Sequence, residues 1–522
     1  MLSIIRISVW SASLLSPLLC HARYISTPLE HSHHAHFTRR QINTTNAQEE
    51  LGRQLSSSAT IFGPTDDAWT NATERYSTYA PPKIQLVVIP GQESDISTIV
   101  KWSNQNNLPF IVKNRGHSLT STVGGFNGIQ IDMSALQNIK IQPDGKTAWF
   151  EGGTYDGEVI EYLWEKGYVA TTGACACVGM MGPGLGGGHG RYQGQYGLIS
   201  DNLVNLNVIL ADGSSIRVND TEHADLWWGM QGAGHNFGIV TSFELKIYPK
   251  KLETWHYHNY IFTQDKLEPF FEALNTFHNN GSTPVLMALN MGGFAMIPSI
   301  SKTEAIITWS FGYAGPADDA EALLAPFNKL GAVSEQMDDV PYPEVAAAMG
   351  TGQDQPICAG NSTHIQSTAG LRTWNVTAER HIYTYFNQMI AEHPDFMQSV
   401  AFHEGYSTAA VNKVDPALSA VPYRDYNFLT YFEVRLPNEA STDSKELARK
   451  YAKEVKDMWN AGAPDLKPLT YVNYAFGDES LESMYGYDTW RLERLRGLKQ
   501  KYDPTNAFRY YNPIVQGNDT RR

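Results

Sequence analysis

At 522 residues the chain is longer than one hydrophobic core usually supports, so two domains are expected. Hydrophobic content of 42% against 18% charged residues excludes a disordered composition. A net charge of −14, with no basic run beyond Arg39-Arg40 and Arg521-Arg522, excludes a nucleic-acid partner, because phosphates need a basic face.

In chain order, residues 1–22 read as a secretory signal peptide: Arg6 is the positive flank, 7–19 the apolar stretch and Cys20-His21-Ala22 the cleavage site. That stretch is too short to span a bilayer and no other approaches ~20 apolar residues, so no stable membrane association is expected. Residues 23–60 form a polar leader, and its HSHHAHF run (31–37) is read as leader rather than metal site. No metal site is expected elsewhere. Seven sequons, at Asn43, Asn71, Asn219, Asn280, Asn361, Asn375 and Asn518, are expected at exposed positions of a secreted, N-glycosylated protein.

Residues 61–250, with a core over 81–249, read as one domain. A strand over 82–90 precedes a helix over 95–106 and a strand over 109–113; a turn at Gly124-Gly125 leads to a strand over 128–133, then a helix over 154–166. Apolar alternation on either side of Asp212-Gly213 makes 203–218 a hairpin. Beyond 250, strand patterns at 305–311 and 428–436 alternate with helical ones at 317–329 and 445–460.

Two segments carry chemistry. VKNRGHSLT (112–120) centres an imidazole, His117, in a turn rich in backbone N–H groups; GACACVGMMGPGLGGGHGRYQGQYG (173–197) sets a thiol, Cys175, at the head of a glycine run. Glycine allows close backbone approach, and successive N–H groups make concavities for phosphate oxygens. Together they suggest a large nucleotide cofactor tethered to the chain. Taken singly, the histidine reads as a polar surface residue and the glycines as a linker. Met180, Met181 and Leu185 interleave the glycines with bulk that a linker would lack, and Cys175 with Cys177 has no second ligand pair nearby for structural zinc.

With their flanking strands, these segments resemble the berberine-bridge-enzyme-like branch of the vanillyl-alcohol-oxidase/p-cresol methylhydroxylase flavoproteins, in the subtype common in fungal secondary metabolism. DLWWGMQGAGHNFGIVTSFELKIYP (225–249) is similar to the family's closing signature of the flavin domain, and LKQKYDPTNAFRYYNPI (498–514) to its C-terminal return. The resemblance implies an α+β, two-domain p-cresol methylhydroxylase-type FAD-binding fold. The FAD domain would run over 61–250, an antiparallel-sheet substrate domain backed by helices over 251–470, and a return onto the FAD domain over 471–522. It implies FAD held bicovalently, by His117 at the 8α carbon and Cys175 at C6. Asn114, Arg115, Gly116 and Ser118 would shape the first loop, although Arg115 stands where the common pattern has glycine. Val178, Gly179 and Gly182 would shape the second, continued by Gly184, Gly186, Gly187 and Gly188, with Gly238, Ile239 and Val240 beside them. Gly184 aligns with the position that gates dioxygen. With Cys175 on the flavin, Cys177 and Cys358 remain as a disulfide pair.

The implied reaction removes hydride from an alcohol or amine carbon of a secondary-metabolite intermediate to flavin N5, and dioxygen reoxidises the flavin to give hydrogen peroxide. Tyr474 is expected as the base beside N5, provided its pKa is lowered from ~10, and Tyr431 as the inward catalytic residue of 422–434. An oligosaccharide oxidase is the alternative substrate reading, and a flavin-bearing binding or cyclisation scaffold without net redox turnover the alternative of another class. The partners expected are a small organic molecule and dioxygen; the sequence sets no oligomeric state.

Overall fold

Three sheets position the site. The computed structural model describes residues 43–279, 281–360 and 362–515. The signal peptide, the 31–37 histidines, Arg39-Arg40 and the sequons at Asn280, Asn361 and Asn518 lie outside the described residues. The leader expected over 23–60 is folded from Asn43 onward. Asn43 caps the helix Thr44–Glu50 by accepting from Asn46 N at 3.1 Å, and Ala47 and Leu51 bury against Leu86, Val88 and Ile96. Two apolar residues in a polar stretch were enough to dock it.

The first sheet is β1 (Thr60–Phe62), β2 (Lys83–Ile89), β3 (Phe110–Lys113) and β4 (Asn127–Asp132), in the order β1-β2-β4-β3. β4 runs parallel to both β2 and β3. The helix Glu93–Gln105 supplies the crossover that parallel strands need. Next come β5 (Ile139–Ile141), β6 (Thr147–Glu151), β7 (Tyr168–Val169), β8 (Leu203–Ile209), β9 (Ser215–Val218), β10 (Ile239–Lys246) and β11 (Tyr248–Pro249). Of these, β5-β6-β10-β8-β9 form an antiparallel sheet, and β7 pairs with β11. β8 and β9 are the expected hairpin, with Gly213 at φ +84°. Asn219, which follows it, is not exposed as a sequon should be: it is buried, donating to Asn205 Oδ1 at 2.7 Å and accepting from Thr221 N at 2.9 Å. Asn71 and Asn375 are exposed.

The third sheet holds β12 (Trp255–Phe262), β13 (Met287–Ala295), β14 (Ile306–Tyr313), β15 (Ser334–Val340), β16 (Thr363–Ser367), β17 (Gly370–Leu371), β18 (Val400–Gly405) and β19 (Phe428–Leu436). Its order is β15-β12-β14-β13-β18-β19-β16, all antiparallel, with β17 also on β19. Four helices, Leu267–His278, Ala317–Asn328, Val376–Glu392 and Thr442–Ala461, bury Phe270, Leu324, Phe386 and Val455 against one face. β19 shows how a strand serves both sides. Phe428, Phe432 and Val434 enter that core, while Tyr431, Glu433 and Arg435 point the other way, into a cavity.

Candidate active site

The cavity holds about 640 Å³ and is walled on one side by the β3–β4 connection, the 173–185 run and the start of β10. The opposite wall is the sheet face formed by β13, β14, β18 and β19. His117 and Cys175 both line it.

Gly116 turns the chain at φ +75°, which points the next side chain, His117, into the cavity. The His117 ring stacks on Tyr76 at 4.8 Å, and Tyr76 stacks in turn on His364 at 4.2 Å. Burial, with the charges of Arg115 and His364, pulls the imidazole down to about 4, so at neutral pH it is the neutral, nucleophilic form. Asn114 donates to the carbonyls of Gly152 and Thr154 at 2.9 and 3.0 Å, which fixes the loop but leaves its buried Oδ1 without a partner. Ser118 Oγ is likewise buried and unpaired. Arg115 reaches the other loop, with Nε 3.4 Å from Cys177 O and its guanidinium over Tyr155.

Cys177 and Cys358 are joined as a disulfide, with Cα atoms 6.0 Å apart, and Cys175 is the free thiol. Its Sγ lies 3.5 and 3.7 Å from the two disulfide sulfurs. Burial pushes this thiol up to about 11, so it is protonated at neutral pH and a poor nucleophile as it stands. Asp156, also in the wall, is fully buried and pushed by burial up to about 7; Oδ1 accepts from Gly173 N at 2.8 Å and Oδ2 has no partner.

Val178, Gly179 and Gly182 line the cavity, as do Gly238, Ile239 and Val240. Gly184, Gly186, Gly187 and Gly188 do not. A side chain at Gly184 would meet Ile199 at 3.2 Å, one at Gly186 would meet Asn473 at 2.2 Å and one at Gly188 would meet Ile199 at 2.7 Å. These glycines allow close packing behind the wall rather than contact with a ligand. Gly182 is the one with nothing within 4 Å of an added Cβ. Of the two, Gly182 faces the cavity with open space, whereas Gly184 packs against Ile199 and Met181.

On the sheet wall, Tyr474 OH donates to Glu404 Oε2 at 2.9 Å. Sequence reasoning required a lowered phenol pKa at Tyr474; the structure does the reverse. Burial and the neighbouring Glu404 raise it well above its ordinary value, because an acid rather than a cation stands beside it. Glu404 itself is buried and pushed by burial up to about 7, against the hydroxyls of Tyr474 and Tyr406 that hydrogen-bond to it. Tyr431 faces the cavity as expected. Its hydroxyl is committed to Glu433 Oε2 at 2.5 Å, and Glu433 also accepts from His364 Nδ1 and Arg435 Nε, each at 2.8 Å. The acid of β19 is thus a structural anchor, and the titrating acid is on β18. Sequence reasoning missed Glu404, although Phe402, Glu404 and Tyr406 in VAFHEGY share one strand face and all three line the cavity.

These residues suit a flavin dinucleotide. Unpaired buried Asn114 Oδ1, Ser118 Oγ, His235 Nδ1 and Asn473 Oδ1 await polar partners, and a neutral imidazole and a thiol share one cavity. The phenylalanine and tyrosine of the C-terminal segment, Phe508 and Tyr510, close its end.

The model described as FAD binding domain matches residues 84–219, and that described as berberine and berberine like matches 470–515. FAD-linked oxidoreductase OXR2 of Pyricularia oryzae is 61% identical over 92% of this chain and 93% of its own length. FAD-linked oxidoreductase anuG of Penicillium roqueforti is 50% identical over 92% of this chain and 94% of its own. Glucooligosaccharide oxidase from Acremonium strictum, described with a 6-S-cysteinyl, 8α-N1-histidyl FAD, superposes with a TM-score of 0.75 at 19% identity, covering 91% of this chain and all of that one. The fold is thus the p-cresol methylhydroxylase-type FAD-binding fold with its antiparallel-sheet half, and the chain belongs to the berberine-bridge-like FAD-linked oxidoreductases.

Proposed function

We propose that the protein is an oxidase of an alcohol carbon in a largely apolar small molecule. The observation that carries this reading is the Tyr474–Glu404 pair, set in a wall where apolar Met291, Val400, Phe402 and Ile357 stand beside Tyr406, Tyr431 and Arg435. Bound FAD supplies the hydride acceptor, and dioxygen reoxidises it with release of hydrogen peroxide. Tyr474 hydrogen-bonds the substrate hydroxyl and takes its proton while passing its own to Glu404 Oε2. A free phenolate is too costly here, but the handover never forms one, because the carboxylate is already in contact. His117, with Asn114 and Ser118 beside it, would hold the cofactor through its 8α carbon. Cys175 would hold it at C6, and Asp156 in the same wall is the group whose pKa suits taking the thiol proton, dioxygen accepting the two electrons that the new bond leaves on the flavin.

Met291, Val400, Phe402 and Ile357 favour a hydrophobic metabolite over an oligosaccharide, whose hydroxyl groups would face them. The net reaction converts a carbinol and dioxygen to a carbonyl compound and hydrogen peroxide. Secretion is part of this reading; the Cys177–Cys358 disulfide supports an oxidising compartment. Among the described residues no helix is long and apolar enough to cross a membrane.

The test is peroxide release from a panel of hydrophobic alcohols and of glucose, chito- and xylo-oligomers. Turnover of the alcohols, lost in Glu404→Gln, supports the proposal. Turnover confined to sugars would move the assignment to an oligosaccharide oxidase, and product without oxygen uptake would move it to a scaffold.

A further inference from the structure

Far along the same sheet from the cavity, at the β12–β15 edge, stands a cluster that the flavin chemistry does not use. Alternation along β12 places His256 and His258 on one face, with relative exposures of 2% and 1%. The register of β15 brings Asp339 directly opposite His256 and Glu335 within reach of His258, and the helix Ala317–Asn328 lays Glu321 over both rings. His256 Nδ1 lies 2.7 Å from Asp339 Oδ1 and its Nε2 2.9 Å from Glu321 Oε1. His258 Nδ1 lies 2.7 Å from the same Glu321 oxygen, while its Nε2 is buried without a hydrogen bond, facing Glu335 Oε2 at 3.6 Å.

Carboxylates only accept hydrogen bonds, and a neutral imidazole donates from one nitrogen alone. His256 presents both nitrogens to carboxylates, and Glu321 Oε1 is shared by two rings. The ion pairs of Glu321, Glu335 and Asp339 among the described residues are to these histidines, with no lysine or arginine partner. Two buried imidazoles converge on one Glu321 oxygen, with Tyr260 OH also 2.9 Å from His258 Nδ1 and two further carboxylates at the outer ring nitrogens, a donor set short of positive charge. One ligand atom each from His256, His258 and Glu321 lies within 4.8 Å of the others, close to the span of ligands placed ~2.0–2.2 Å from one cation.

We propose that His256 Nε2, His258 Nδ1 and a Glu321 oxygen form a three-ligand binding site for a divalent transition metal of the zinc type, with Asp339 holding the outer Nδ1 of His256. Two imidazole nitrogens with carboxylate oxygens are borderline donors that suit zinc and disfavour calcium or magnesium, which take all-oxygen shells. Asn328 is the outer partner: its Nδ2 donates to Glu321 Oε2 at 2.7 Å and orients that ligand. The ion ties β12 to the covering helix, and Asp339 on the outer nitrogen of His256 links the edge strand β15 to that ligand. It is remote from the residues that line the cavity, so its role is to secure the sheet.

The test uses full-length, flavin-loaded protein without an affinity tag, with His31, His33, His34 and His36 changed to glutamine so that the 31–37 run cannot contribute. After treatment with EDTA, zinc chloride is titrated in, and elemental analysis after desalting is paired with thermal unfolding. The expected result is one retained zinc per chain and a Tm that rises with the logarithm of free zinc. His256→Asn with His258→Asn removes that equivalent and the Tm response. Asn328→Ala, which keeps every ligand, weakens binding about 10–100-fold. Cobalt(II) in place of zinc gives visible absorption characteristic of a low-coordinate N/O site. Zinc retained equally by the double histidine variant, or no saturable equivalent in the parent, overturns the proposal. If the double variant does not fold, unchanged zinc affinity in Asn328→Ala overturns it instead.

Discussion

Glu404 and Tyr474 divide one task by environment. In the proposed mechanism the phenol, held protonated, would meet the substrate, and the carboxyl, raised by burial to about 7, would take the proton on. Because the active form of Glu404 is the carboxylate, kcat/KM for peroxide release is expected to rise as pH rises through about 7 and then level off. Glu404→Gln removes that limb and lowers kcat by about 10²–10⁴-fold, the usual worth of a positioned general base. Tyr474→Phe loses kcat on a similar scale but leaves Glu404 to titrate, so substrate-independent spectral titrations of the bound flavin still report it. A Glu404→Gln enzyme with an unchanged pH profile would remove Glu404 from the mechanism. The two residues proposed as tethers differ just as sharply: burial leaves the His117 imidazole neutral and the Cys175 thiol protonated at neutral pH. Mass spectrometry of acid-precipitated protein is therefore expected to find flavin on His117 peptides in Cys175→Ala. His117→Ala should yield little covalent flavin even with Cys175 intact. The reverse pattern would assign the primary bond to Cys175.

At the scale of elements, legibility followed periodicity. The strand 428–436 was read with its true ends, since FLTYFEVRL alternates cleanly and its apolar residues face the helices. The helices at 317–328 and 442–461, and the hairpin around Gly213, were equally readable from pattern and turn chemistry. What alternation does not carry is which polar residue on the inward face meets the substrate. That depends on β18 lying beside β19, where Phe402 pairs with Tyr431 and Glu404 with Leu429. Such pairing joins segments about thirty residues apart, and no local pattern records it. The glycine run fails for the same reason: Gly182 and Gly184 look alike in sequence and are distinguished only by whether Ile199 packs behind them. A Phe432→Ala substitution tests the packing face alone. Phe432 is fully buried in the helix-backed core, so about 3–5 kcal/mol of stability should be lost in urea unfolding, with the Glu404 pH limb retained where the protein remains folded.

Across the whole molecule, the chain's last described segment packs over the cavity side that Phe508 and Tyr510 line. Asp503 ends the helix Thr489–Tyr502 and holds four groups: Lys499 Nζ at 2.7 Å, Ala507 N at 2.8 Å, Phe508 N at 2.9 Å and Thr505 Oγ1 at 3.3 Å. That turn aims Phe508 at Phe110 and Tyr510 at Phe126, covering the β3–β4 sheet, while Tyr511 stacks on His235 at 4.3 Å. Lys499 reaches further, donating to Asn236 O at 2.8 Å, so one buried ion pair links the C-terminal helix, the return and the segment before β10. Its side chains are 3% and 0% exposed. Removing one partner leaves the other charge buried and uncompensated, which costs about 3–5 kcal/mol. Asp503→Asn should therefore lower stability by about that amount in urea unfolding followed by tryptophan fluorescence, and should loosen Phe508 and Tyr510 over the flavin end of the cavity. Asp225→Asn breaks the exposed pair with Lys501, also at 2.7 Å, and should cost under about 1 kcal/mol because water screens it. Equal losses in the two variants would mean that the return is held by its aromatic contacts and not by Asp503.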